Sequence, residues 1–187
     1  SAAKQVVIQK AFSLPEPAAA ADATAVAAIE KSGVLIMQLA QDTKYLSVNA
    51  INVAKSFNDA QVKLLPPVKG HLTWLDVSRS GITDAAAGDL GQLGMLTKLH
   101  LENTAVTDKT LQQLGKLTKL EYLNLYATKV SDAGLEHLKN LKNLKKLYVW
   151  QTGVTEGGAK KLQESIPGLD VNLGWKEPEA KPAEPKK

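Results

Sequence analysis

From Leu72 to Pro167 the chain repeats itself every 24 residues. Leu72, Leu96, Leu120 and Leu144 open four units. Leu75/Val77, Leu99/Leu101, Leu123/Leu125 and Leu147/Val149 follow three and five positions later, then Ser80, Thr104, Thr128 and Thr152, then Ile82, Val106, Val130 and Val154. Such a period constrains the fold before any other property does. A unit this short cannot bury its own leucines, so the units must stack into a solenoid with one continuous core.

Within a unit the apolar residues first alternate, which is the rhythm of a strand with one buried face. A turn follows, and then Thr83, Thr107, Ser131 or Thr155 stands before Asp84, Asp108, Asp132 or Glu156. A hydroxyl residue there caps the free N–H groups of a helix, and the carboxylate favours its positive end. Leu111, Leu114 and Leu117, like Leu135, Leu138 and Leu141, continue at helical spacing. Each unit therefore reads as strand, turn, short helix and return. The Ser80/Thr104/Thr128/Thr152 column is expected to hydrogen-bond turn backbone between units.

This LxxLxLxxT spacing is the pattern of a leucine-rich repeat. The expected fold is α/β: a right-handed solenoid with a parallel sheet on the concave face, short helices on the convex face and an N-terminal helical cap. Residues 1–20, with a β-prone run at Val6–Ile8 and a Pro/Ala segment, read as an arm or linker. The repeat domain is expected over 21–175. In it, 21–42 form the cap (a helix from Asp22 or Thr24 to Gly33, then a strand), and 43–71 a divergent repeat whose helix Pro66–Pro67 ends. The clean repeats occupy 72–167. A C-terminal cap spans 168–175, with Trp175 folded over the end. Residues 176–187 (KEPEAKPAEPKK) lack an apolar anchor and are expected to be disordered.

Composition excludes more than it assigns. Twenty-three basic against 19 acidic side chains is a mild balance. Four of the lysines lie in the last twelve residues and no basic face recurs through the repeats, so nucleic acid is not an expected partner. There is no cysteine, hence no disulfide, thiol nucleophile or Cys-ligated metal. The apolar runs, Val34–Met37 among them, are too short to span a bilayer, and no membrane insertion is expected within the chain. The chain begins at Ser1 without Met, as a processed or truncated chain would.

The outward strand positions form three columns across the concave face. The first holds Trp74, Lys98, Tyr122, Lys146 and Asp170; the second Asp76, His100, Asn124, Tyr148 and Asn172; the third Ser78, Glu102, Tyr126, Trp150 and Gly174. Tyr45, Ser47 and Asn49 extend them from the divergent repeat. Six of the nine aromatic residues fall here when Tyr45 is counted, which makes this face the candidate site. Two readings of it are compatible. The rings and cations of Trp74–Lys98–Tyr122–Lys146, the Tyr126–Trp150 pair and an Asp76–His100 ion pair can simply stabilise the sheet. Exposed Tyr and Trp on a rigid concave surface also make a partner-binding hot spot. The candidate partner-binding residues are Trp74, Asp76, Lys98, His100, Tyr122, Asn124, Tyr126, Lys146, Tyr148 and Trp150.

Catalysis is not expected. His71, His100 and His137 are not spaced as metal ligands, strand spacing puts Ser78 beside Glu102 rather than His100, and no Gly-rich phosphate loop follows a strand. No cofactor is expected. A non-catalytic protein-interaction module is the leading reading. A glycan-binding surface using the rings with Asn124 and Asp76 is a second, and a structural spacer on a larger redox protein, with self-association as its only contact, is a third.

The combination xTxVTDxGLxxLxxLxxL, with the ending KKLYVWQTGVT…KKLQESIPGLDVNLGW, resembles a bacterial repeat family. It forms the C-terminal region of planctomycete-type proteins that also carry a c-type cytochrome domain and membrane segments. The resemblance covers about residues 21 to 175. It implies a periplasmic or otherwise extracytoplasmic interaction domain without assigned activity or functional residues. The chain has no CxxCH, so a haem-bearing domain would lie upstream of Ser1 in a longer parent.

Overall fold

A computed structural model describes residues 14–174. The Val6–Ile8 run, Trp175 and the tail lie outside them. The described chain builds a seven-stranded sheet in sequence order: β1 (Leu35–Gln38), β2 (Leu46–Asn49), β3 (Leu72–Asp76), β4 (Lys98–His100), β5 (Tyr122–Asn124), β6 (Lys146–Tyr148) and β7 (Asp170–Asn172). β1 runs antiparallel to β2, and every later pair is parallel. From β3 onward the register advances by one 24-residue unit: Leu75 lies opposite Leu99, Leu99 opposite Leu123, and Leu123 opposite Leu147. All four are fully buried. This is the parallel sheet with short helices of a leucine-rich-repeat solenoid.

The helices are α1 (Ala23–Lys31), α2 (Asp59–Val62), α3 (Ala87–Leu90), α4 (Asp108–Leu114), α5 (Asp132–Leu135) and α6 (Glu156–Ser165). Asp22 caps α1, accepting from the Thr24 N–H at 3.1 Å, and Gly33 leaves it at φ +82°. Ala25 and Ile29 face the core. α2 ends at Val62, before the prolines. Pro66 instead opens a 3-10 turn, Pro66–Val68, where its fixed φ suits the first position.

The hydroxyl column departs from expectation. The column Ser80, Thr104, Thr128 and Thr152 does not bridge units. Each hydroxyl donates to the carbonyl three residues back in its own unit (Val77, Leu101, Leu125, Val149) at 2.6–2.7 Å. These bonds hold a turn whose preceding residue is left-handed: Arg79, Asn103, Ala127 and Gln151 have φ of 54–58°. The turn aims the N–H of that residue at the next unit, as from Ala127 to the Trp150 carbonyl at 2.9 Å. An alanine here carries a Cβ that crowds its carbonyl, costing about 1–2 kcal/mol, whereas glycine does not. Ala127→Gly therefore raises stability by about 0.5–1 kcal/mol after the added unfolded-state entropy is set against the relief. Urea denaturation checks this, and an unchanged or lowered midpoint refutes it.

What does bridge units is a carboxylate ladder. Asp59, Asp84, Asp108 and Asp132 each take two hydrogen bonds from the hydroxyl residue one unit on. Backbone N–H and side-chain hydroxyl of Thr83, Thr107, Ser131 and Thr155 are held at 2.6–2.8 Å. Thr83 also caps the 3-10 turn Asp84–Ala86 that leads into α3, and Thr107 and Thr155 cap α4 and α6, whereas Ser131 makes no side-chain cap bond. Asp84 receives a third side-chain bond from Thr110 at 2.7 Å. Burial pushes its carboxyl up, but the hydroxyls and N–H groups of Thr107 and Thr110 outweigh that and hold its pKa below the ordinary 3.8. A depressed folded pKa stabilises above the unfolded value and is lost as pH falls through the folded one. Asp84→Asn is thus less stable than wild type at pH 7, and the difference closes below about pH 4. Parallel curves down to acid pH would refute the linkage.

Candidate functional site

In the sheet, side chains at paired positions point to the same face. Trp74, Lys98, Tyr122 and Lys146 form one rung, and Asp76, His100, Asn124 and Tyr148 the next. Tyr126 and Trp150 stand just beyond the strand ends. All ten candidate residues therefore lie on the concave face.

The divergent repeat is placed differently from expectation. Ser47 pairs with Trp74 and Asn49 with Asp76, after a register shift between Leu46 and Ser47. Ser47 thus joins the first column and Asn49 the second, and Tyr45 joins neither. Tyr45 is 4% exposed and donates its hydroxyl to the Leu14 carbonyl at 2.8 Å, tying down the arm. Burial and then the nearby Glu16 push this phenol up. Five aromatic residues remain in the columns.

The structure adds residues that the sequence reading missed. Leu35 pairs with Asn49 and Met37 with Ser47, so both face the concave side and prolong its columns. Ile51 lines the same groove as Ser78, Glu102, Tyr126 and Trp150. Among the described residues the exposed large hydrophobic ones are Leu35, Met37, Ile51, Trp74 and Trp150. All five are on this one face. Leu35 and Met37 alternate in the sequence, and their pairing with Asn49 and Ser47 is what turns them this way.

The rings do not stack down the columns alone. Trp74, His100, Tyr122 and Tyr148 meet diagonally between the first two columns, with centroids 6.5, 4.8 and 5.3 Å apart. Lys98 places Nζ 4.8 Å from the Trp74 ring centroid, the cation–π contact the column order predicts. Tyr126 and Trp150 stack as expected, at 5.1 Å and 27°. On its other side Trp150 covers Gly174, where a Cβ would sit 2.1 Å from the indole Cδ1. Only glycine allows that approach.

The polar residues are committed in ways that decide what they can do. Asp76 does not pair with His100. Its Oδ1 accepts from the Ser78 N–H at 3.1 Å and hydroxyl at 2.7 Å, closing the turn that ends β3. Asn49, Asn124 and Asn172 make the same bond, to the N–H groups of Ile51, Tyr126 and Gly174 at 2.8–3.0 Å. His100 turns instead to Glu102, with Nδ1 2.8 Å from Oε1, and Asn124 Nδ2 donates to that same oxygen. No Asp–His–Ser relay forms, since Asp76 holds Ser78 and Glu102 holds His100. Burial, and beyond it the charges of Glu102 and Asp76, push the Tyr122 phenol up against the lowering bond from Asn124, which keeps it protonated.

Sheet, repeat and face together define a leucine-rich-repeat solenoid with an aromatic concave surface. No family model matches the chain, and no curated protein does. Among solved structures, an internalin of Listeria monocytogenes is similar at 20% identity over 62% of this chain, with a TM-score of 0.49. This chain covers 32% of that internalin's length. The leucine-rich-repeat ectodomain of the receptor kinase SOBIR1 from Arabidopsis thaliana is similar at 19% identity over 81% of this chain and 90% of its own, with a TM-score of 0.49. An internalin C2 of Listeria monocytogenes matches at 19% identity over 68% of this chain and 69% of its own, with a TM-score of 0.44. The fold assignment rests on the register and hydrogen bonding of this chain's own repeats.

Proposed function

We propose that the chain is a non-catalytic protein-interaction module that binds through its concave face. The observation that carries this is the gathering there, among stacked rings, of the five large hydrophobic residues that are exposed among the described residues. An apolar patch rimmed by polar groups on a rigid sheet is what a protein interface needs, and Trp and Tyr are its usual anchors. The glycan reading loses support because Asp76 and Asn124, its polar contributors, already direct Oδ1 to their own turns. An extracytoplasmic setting fits the family resemblance of the closing repeats. Among the described residues no helix is long and apolar enough to cross a membrane.

The test is a pull-down from the envelope fraction of the source cells, comparing wild type with Tyr126→Ala/Trp150→Ala. The double variant is expected to lose the partner by about tenfold or more, since buried aromatic anchors dominate such interfaces. Its circular dichroism stays that of wild type, because both rings lie outside the core. A partner held equally by both proteins would move the site off this face.

A further inference from the structure

A groove of about 510 Å³ runs between the second and third columns, lined by Asp76, Glu102, Asn124, Tyr126, Tyr148 and Trp150 among others. Glu102 is its unusual member. Its side chain is only 16% exposed, and Oε1 is fully engaged by His100 and Asn124. Oε2 is shut off from water and has no hydrogen-bond partner among the described residues. A carboxylate oxygen left in that state is costly, and a donor with positive charge recovers most of the loss. The neighbouring Arg79 does not supply it. Arg79 meets Glu102 through its backbone N–H, 2.7 Å from the Glu102 carbonyl, and the two side chains form no ion pair among the described residues.

The rings beside Glu102 say which cation fits. In the third column Glu102 adjoins Tyr126, and Tyr126 stacks on Trp150. A flat, weakly hydrated guanidinium can lie on such rings while its edge donates to a carboxylate, whereas an ammonium offers only a point charge. The terminal torsion of a glutamate is soft, but turning Oε2 into the groove moves Oε1 off His100 and Asn124, so the guanidinium must replace those two bonds as well. The groove's charges, Asp76 and Glu102 against Arg79, leave it negative within a chain of net charge +4.

Resting on the concave-face reading, we infer that the partner is a protein segment anchored by an arginine, its guanidinium seated on Tyr126 and Trp150 and bonded to Glu102. The probe is acetyl-Gly-Arg-Gly-amide, titrated into the full chain and followed by the Trp150 indole N–H resonance, which Trp150→Phe assigns. Its citrulline counterpart keeps the shape and removes the charge. The arginine peptide is expected to shift the resonance at about tenfold lower concentration than the citrulline peptide, the margin of a charge-assisted bond. Glu102→Gln keeps an acceptor for His100 and Asn124, so it folds, and it is expected to erase that difference. Equal binding of the two peptides, an unchanged preference in Glu102→Gln, or an equal response to a neutral oligosaccharide overturns the inference. A partner lost with Tyr126→Ala/Trp150→Ala but kept by Glu102→Gln would remove the arginine anchor and leave the concave face as the binding surface. A partner kept by both variants removes both.

Discussion

Leu123→Ala is expected to lower the stability of the chain by about 3 kcal/mol, the middle of the range for truncating a fully buried leucine. Leu123 lies in β5 between Leu99 and Leu147, each with no exposed surface. The vacated space cannot close easily, because the hydrogen-bonded parallel ladder fixes the spacing of the strands on either side. In a solenoid each layer is held only by its neighbours, so a weak layer in the middle also uncouples the two ends. Hydrogen exchange in β6, β7 and α6 should therefore rise more than in β2 and β3, where β1 still pairs with β2 on the far side. Val171 offers the control. It is only partly buried at the end of the stack, and Val171→Ala is expected to cost under about 1 kcal/mol. Urea denaturation with a linear extrapolation reads both values. Equal losses at the two sites would show that the core does not act layer by layer.

How much of this was legible in the sequence follows from which interactions obey the repeat. Leu75, Leu99, Leu123 and Leu147 do so strictly, so strand, register and inward face could be read directly, along with Tyr126 against Trp150. What failed were features set by local geometry that composition does not mark. The left-handed turn is the clearest case. Glycine or asparagine would have signalled it, but Arg79, Ala127 and Gln151 occupy three of the four positions. The Ser/Thr column was seen, yet its bonds run within the unit because that turn brings the hydroxyl over the carbonyl three residues back. Tyr45 was assigned to the concave face by alternation, which a register shift at Leu46/Ser47 broke. The Asp76–His100 pair was inferred from adjacency, but Ser78 and Glu102, both two residues along the same strand end, were nearer competitors.

The carboxylate ladder bears on two glycines, Gly134 and Gly158, the third residues of α5 and α6. Each aspartate projects across to the first turn of the next unit. A Cβ at Gly134 would lie 2.2 Å from Asp108 Oδ1 and 2.8 Å from Leu111 Cδ1, and one at Gly158 only 1.9 Å from Asp132 Oδ1. Asp108 cannot step aside freely, since it holds the Ser131 N–H at 2.7 Å and hydroxyl at 2.6 Å. At Thr110 the earlier unit solves the same crowding differently, with the threonine hydroxyl bonded to Asp84. Gly134→Ala is therefore expected to destabilise by about 2 kcal/mol, combining overpacking with a weakened pair of hydrogen bonds and outweighing alanine's better helix propensity. For a chain of this length that is a fall in Tm of about 4–8 °C. Asp108→Ala removes both the obstacle and the bonds, so adding Gly134→Ala to it should cost nothing further or even stabilise. The double-mutant cycle isolates that coupling. If Gly134→Ala costs as much without Asp108 as with it, the clash lies with Leu111 or the helix itself, and the ladder does not set the glycine.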